Sequence, residues 1–169
     1  MKLKFCPCCA RPLTRRLLGG RERLACPEPA CGWVFWDNPA PVVAALVERE
    51  GHVILVNNKQ WPPNWWGLVT GFLEHGEEPE EAVVREVAEE LGLEAELVGL
   101  IGVYGFPQQN QVIMAYHLRL PRGEIRVNEE LTGYKAIPVE RLRAWDSATG
   151  RAVADWLARR RAGTAPGRD

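Results

Sequence analysis

The chain has 169 residues, 46% of them hydrophobic and 25% charged, and a net charge of −1. That is room for one ordinary domain with a small attachment, with a globular composition and not a disordered one. The near-neutral balance gives no global pull toward nucleic acid or membrane, no apolar run approaches the roughly 20 residues that cross a bilayer, and the N-terminus lacks an apolar signal core, so a cytoplasmic, reducing location is expected.

Residues 1–36 read as a separate unit. All five cysteines lie here, with Cys6 and Cys9 as a C-x2-C pair and Cys26 and Cys31 as a C-x4-C pair. In a reducing compartment two such knuckles favour zinc over disulfides. Four thiolates complete a tetrahedral Zn²⁺ and leave no open position, so the metal is structural. Gly19-Gly20 marks a turn between two runs that can pair as a hairpin, which gives a zinc ribbon. Cys8 is either a bystander or a substitute for Cys9; the two-residue spacer favours Cys9. Arg11, Arg15, Arg16, Arg21 and Arg23 form a basic cluster that could contact RNA or another polyanion. A solvated surface that keeps a tiny domain soluble is the plainer reading, and the one preferred. Trp33 to Pro41 is the joint, with residues 37–41 as linker. Its two prolines and its aromatics predict a stiff connection in which aromatic rings pack ribbon against main domain.

The main domain is expected over residues 42–161. Val42–Glu48 and Val53–Asn57 are β-rich runs around a hairpin signal at Arg49-Glu50-Gly51-His52. Trp61-Pro62-Pro63-Asn64-Trp65-Trp66 is a loop whose tryptophans, Trp66 among them, either wall a flat base or cap the core. Gly67–Thr70 is a short strand. Apolar runs follow at 95–104 and 111–120, around a loop from Gly105 to Asn110, and another strand at Tyr134–Ile137. Thr149–Arg161 is an amphipathic helix with Ala152, Val153, Trp156 and Leu157 inward. Residues 162–169, with Gly163, Pro166 and Gly167, read as a frayed tail. A mixed sheet with a helix on each side is an α/β/α sandwich, hence an α/β fold class.

The chemistry concentrates between Gly71 and Leu93. Gly71 and Gly76 belong to a loop, Pro79 is a good first helical residue, and Gly92 is a good C′ residue. The spacing predicts a helix over 79–91 with Glu86, Glu89 and Glu90 on one face and Val84, Val87, Ala88 and Leu91 on roughly the opposite, core-facing one. Three neighbouring carboxylates repel, by a few tenths of a kcal/mol per pair on an exposed helix. A hard divalent cation, Mg²⁺ or Mn²⁺, reverses that sign, because it takes carboxylate oxygens together with substrate phosphates. A solvated acidic face is the alternative.

This stretch resembles the Nudix box, G-x5-E-x7-R-E-U-x-E-E-x-G-U with U bulky and apolar. Gly71, Glu77, Arg85, Glu86, Val87, Glu89, Glu90, Gly92 and Leu93 fill its fixed positions. The resemblance implies the Nudix sandwich and a hydrolase that cleaves a nucleoside diphosphate linked to another group. It implies Glu86 and Glu90 as metal ligands, Glu89 as a further ligand or its close partner, and the Thr70 carbonyl as an added ligand. Arg85 is implied to pair with Glu77 and hold the loop on the helix; a phosphate contact is the second reading. For the general base, Glu129 and Glu130 are loop candidates, as is Glu86; each loop glutamate is otherwise a solvated residue.

The order of ribbon and Nudix box is similar to the NADH pyrophosphatase branch of that family. Of that branch's signature S-Q-P-W-P-F-P-x-S, Phe106 and Pro107 match. Tyr104 keeps an aromatic where the branch has Trp, and Gln109 stands in place of the final Ser. The branch implies Phe72 as a stacking residue, Tyr104 as a second one reaching in from a partner subunit, and a homodimer. In an arbitrary protein both would be core residues. The expected substrate is a dinucleotide or an ADP-ribose-like compound, with NADH and ADP-ribose leading and a nucleoside triphosphate as the alternative. From a different class, the chain could be a zinc-ribbon binding module for nucleic acid or protein on an inactive scaffold. The complete carboxylate set speaks for the enzyme.

Overall fold

The computed structural model describes residues 3–163. Residues 164–169, most of the expected tail, lie outside the described residues. The chain divides into two compact units, Met1–Asn38 and Pro39–Asp169.

In the first unit, β1 (Thr14–Leu18), β2 (Arg21–Ala25) and β3 (Val34–Phe35) form an antiparallel sheet in that order. Gly19 and Gly20 make the β1–β2 turn with φ of 58° and 76°, which suits the right-handed twist of a two-residue hairpin. β3 was not foreseen, because Trp33–Pro41 read as a joint by its prolines; those prolines begin only at Pro39, beyond the strand.

The second unit is built on β4 (Ala40–Arg49). Val42, Ala44 and Leu46 point to one face and Val43, Ala45 and Val47 to the other, all buried. A strand covered on both faces reads as one continuous apolar run, and Pro41–Val47 is such a run. β4 pairs in parallel with β8 (Gln111–Arg119) and antiparallel with β5 (His52–Asn58) and β6 (Val69–Phe72). β7 (Glu96–Phe106) flanks β8, and β9 (Leu131–Pro138) flanks β5, so the sheet runs β7-β8-β4-β5-β9 with β6 on β4. Helix α1 (Pro79–Leu91) covers one face through Ala82, Val83, Val87 and Leu91. Helix α2 (Ala148–Arg161) covers the other through Ala148, Ala152, Val153 and Trp156. The result is the expected α/β/α sandwich with a mixed sheet. Among the described residues, no helix is long and apolar enough to cross a membrane.

α1 ends where the sequence placed its ends: Pro79 opens it, a Glu78–Glu81 capping box closes the first turn, and Gly92 stops it in the left-handed conformation. Its faces differ from the expectation. Val84 and Ala88 are only half-buried, while Glu90 is buried. The core stripe follows 83, 87 and 90–91, so the carboxylates of Glu86 and Glu90 border the core instead of opposing it.

Candidate active site

β6 runs into the loop before α1, and the two elements meet at Gly71 and Glu86. A Cβ on Gly71 would lie 1.8 Å from Glu86 Cδ. A side chain here would push the Glu86 carboxylate out of this position, so glycine is what lets it lie against the strand. Thr70, half-buried and paired with Ala44, leads directly into that contact.

Arg85 ties the loop to the helix. Its Nε and Nη2 donate to the two Glu77 oxygens at 2.7 and 3.0 Å, a bidentate pair. Nη1 donates to Glu86 Oε1 at 2.8 Å and Glu89 Oε2 at 3.1 Å, and Nη2 also reaches the Phe72 carbonyl at 3.3 Å. Glu77 in turn accepts from the Glu74 N–H. Its carboxyl is held below the usual range by the Arg85 guanidinium.

Glu90 is the outlier of the site. It is 5% exposed, and its Oε2 is buried with no hydrogen-bond partner. Burial, with the like charges of Glu86, Glu130 and Glu89, pushes its carboxyl up to about 8. Burial also raises Glu86, against the pull of Arg85. Glu130 acts on both carboxylates because its loop is stitched to the end of α1. Arg126 N–H donates to the Leu91 carbonyl, Asn128 N–H to the Glu90 carbonyl, and Glu130 N–H to Asn128 Oδ1. The Glu130 carbonyl accepts from Lys59 beside β5. Of the two loop glutamates, Glu130 is the one whose charge acts on Glu86 and Glu90.

Four glutamates from one helix and one loop thus converge around a buried, unpartnered oxygen. A divalent cation with oxygen ligands fits such a donor set, since Arg85 reaches Glu86 and Glu89 but leaves the buried Glu90 oxygen uncompensated. The carboxylates stand less tightly than the thiols of the first unit. Among the described residues, Cys6, Cys9, Cys26 and Cys31 are the group whose candidate ligand atoms all lie within 4.8 Å of one another. Their sulfurs approach to 3.6 Å (Cys6–Cys31) and 3.4 Å (Cys9–Cys26). Zinc–sulfur bonds of about 2.3 Å in a tetrahedron put sulfurs about 3.8 Å apart, so the cluster fits that ion. Cys8 is exposed and outside it.

The aromatic residues are distributed differently from the expectation. Phe72 is 59% exposed on β6. Tyr104 is 8% exposed, packed in the core under α2, with its hydroxyl donating to Asp155 Oδ2 at 2.7 Å and the Arg151 guanidinium over its ring. Phe72, Val42, Ile113 and Tyr104 occupy one row across four strands. Three strand spacings separate the outer two by about 14 Å, too far for Phe72 and Tyr104 of one chain to sandwich a ring between them. Within the single chain Tyr104 therefore packs in the core. Trp66 is half-buried on the core with the Lys135 ammonium 4.1 Å over its ring, whereas Trp65 is the exposed tryptophan of that loop.

Two polar groups had no signal in the sequence. Asn57 is buried at the end of β5, donates to the Pro62 and Trp65 carbonyls, and accepts from Thr132, so it pins the tryptophan loop. His117 is buried on β8, with Nε2 2.9 Å from Glu48 and its ring edge-on to Trp156. Both lie within apolar runs, and only the fold reveals their partners.

The NUDIX domain model matches residues 38–157. The chain belongs to the NUDIX family. It is 32% identical over 128 residues to the NAD-capped RNA hydrolase NudC of Pseudomonas aeruginosa, covering 75% of this chain and 44% of that protein. It is also 32% identical over 128 residues to the mitochondrial NAD(P)H pyrophosphatase NUDT13 of Mus musculus, covering 74% and 35%. The chain thus spans less than half the length of these two relatives. A crystal structure of a NUDIX hydrolase from Nitrosomonas europaea superposes with a TM-score of 0.81 at 25% identity, covering 95% of this chain and 94% of that one.

Proposed function

We propose that the protein is a divalent-cation-dependent pyrophosphohydrolase acting on a nucleoside diphosphate linked to a second group, with NADH and ADP-ribose the leading substrates. The observation that carries this reading is the buried, unpartnered oxygen of Glu90 beside Glu86, with Glu130 acting on both. A structural helix gains nothing from that arrangement, and an inactive scaffold need not keep it. The names of the NudC and NUDT13 relatives point to nicotinamide dinucleotides in the same family.

Glu86 and Glu90 would hold Mg²⁺ or Mn²⁺, with the Thr70 carbonyl as a further ligand and Glu89 beside them. Bound there, the ion neutralises charge on the pyrophosphate and lowers the pKa of water. Gly71 leaves room for Glu86, and Arg85, braced by Glu77, fixes its carboxylate. Glu130 accepts a proton from the attacking water. The water oxygen bonds to one phosphorus, the bridging P–O bond breaks, and the other phosphate departs with the bridging oxygen. Phe72 offers an exposed ring for a base.

In the first unit, Cys6, Cys9, Cys26 and Cys31 would hold one structural Zn²⁺, in keeping with a reducing cytoplasm. A homodimer belongs to the same reading; Leu100 and Val103, half-exposed on the edge strand β7, are the apolar surface offered to a second copy, and sedimentation of the purified chain tests it.

The deciding experiment is a hydrolysis screen over NADH, NAD⁺, ADP-ribose, FAD, diadenosine polyphosphates and the nucleoside triphosphates, with and without Mg²⁺. Mg²⁺-dependent release of two nucleoside or sugar monophosphates from NADH or ADP-ribose is expected. Turnover of triphosphates alone would replace this reading with that of a triphosphate pyrophosphohydrolase. No turnover of any compound would leave the scaffold reading standing.

A further inference from the structure

Charge is divided unevenly along this nearly neutral chain. Residues 1–38 carry seven Lys and Arg against three Asp and Glu, a net +4, while residues 39–169 carry 14 against 19, a net −5. Such asymmetry marks a partner for the basic part.

Within the ribbon the basic residues are sorted by face. Arg16 on β1 stands directly opposite Arg23 on β2, and Arg21 is two residues from Arg23, so all three share one side of the hairpin. Arg15 and Glu22 pair with each other on the other side, and Glu28 pairs with Arg11. Arg16 and Arg21 are exposed and make no ion pair among the described residues. Like charges directly opposite across two strands destabilise a hairpin. A small unit gains nothing by that pairing unless an anion covers it.

The same face carries an aromatic ring. Arg23 donates to the Trp36 carbonyl, and its guanidinium lies 4.9 Å from the Trp36 ring centroid. Its Nε is buried without a hydrogen-bond partner. The Trp36 side chain remains 52% exposed. Three guanidiniums on one face with a half-exposed indole match a ligand of alternating phosphates and flat bases.

We propose that this face of the ribbon, Arg16, Arg21, Arg23 and Trp36, binds a single strand of nucleic acid, with phosphates on the arginines and an unpaired base on Trp36. A duplex offers the same phosphates but no base free to stack. The inference stands apart from the hydrolysis reading, since it needs neither the carboxylates of α1 nor turnover.

The test is fluorescence anisotropy on the zinc-loaded full chain. The probes are labelled oligouridylate and oligothymidylate of about 12 nucleotides, and a duplex of the same length, at about 50 to 200 mM salt. Single strands should bind with a log–log salt slope of about −2, as three phosphate contacts on a flexible strand give. R16E/R21E should weaken binding at least about tenfold and bring the slope to about −0.7, because one contact remains. W36A should weaken binding about tenfold with the slope unchanged, the loss of one stacked base. Arg16→Glu places opposite charges across the hairpin, so that variant should hold its zinc and melt no lower than the parent. Tighter binding of oligouridylate assigns the ligand as RNA, and tighter binding of oligothymidylate as DNA. Equal affinity of R16E/R21E and parent, equal affinity for duplex and single strand, no effect of W36A, or competition by anionic lipid vesicles as strong as by the oligonucleotide overturns the proposal.

Discussion

A carboxylate nearly shut off from water and left without a donor costs stability until something positive reaches it. Glu90 is in that position, next to Glu86 and under the field of Glu130. Removing its charge should act in opposite directions on stability and activity. In Glu90→Gln, hydrolysis at fixed Mg²⁺ should fall at least about 10–100-fold, the range lost when a mere support of a metal ligand is removed. The metal-free variant should be more stable by about 1 kcal/mol, since an amide is cheaper to bury than a carboxylate, or about 2–4 °C in Tm. Turnover equal to the parent at saturating Mg²⁺ would remove Glu90 from the ligand set. Tyr104 makes the contrasting case. Tyr104→Phe deletes the hydrogen bond to Asp155 and should cost about 1 kcal/mol in denaturant unfolding. Its KM should not move; a raised KM would return the ring to the substrate.

At the scale of elements, the helices differ in how they meet the sheet. α1 presents aliphatic residues flanked by the carboxylates, whereas α2 lays Trp156 against a buried histidine. Burial holds His117 neutral, below its ordinary value near 6.5, against the pull of Glu48; the cations Arg119 and Arg160 act in the same direction as burial. A depressed folded pKa means that the unfolded chain takes up the proton first. Stability is therefore full above the ordinary histidine range and declines as pH falls through it. Urea unfolding of His117→Gln should show a flatter limb between about pH 7 and 5 than the parent. Parallel limbs in the two proteins would mean that His117 carries no such linkage.

The same elements show what could be read in advance. Local signals placed α1 to the residue, because Pro79 and Gly92 act through their own backbones. The β4–β5 turn was equally plain, with Glu50 and Gly51 both at positive φ between paired Arg49 and His52. Long-range facts were hidden. The two-residue strand β3 exists only because Leu24 and Ala25 pair with it. The burial of Tyr104 depends on Gly102, where a Cβ would sit 2.7 Å from its hydroxyl oxygen, and on Asp155 fifty-one residues away. The box identified which carboxylates gather, but a helical wheel drawn about Val84 and Ala88 turned them away from the core they border.

For the whole molecule, the two units face different stability problems. Residues 39–169 bury two aliphatic layers and are large enough to fold on a core. Of the described residues up to 38, little is buried beyond Cys6, Ala25 and Cys26, and a unit under about 40 residues needs a metal, disulfides or a partner. Four of its five cysteines are free thiols gathered at tetrahedral spacing, so a zinc ion there would be the staple. Structural zinc supplies on the order of 10 kcal/mol in such units, which far exceeds what this core can contribute. The purified chain should hold one zinc, and Cys31→Ser should release it. Trypsin should then cut after Arg15, Arg16, Arg21 and Arg23, which the zinc-loaded hairpin protects, and leave a fragment beginning at Leu24 that resists further digestion. If the variant lost its zinc yet kept those four arginines protected, the ribbon would be holding its fold by some means other than the metal.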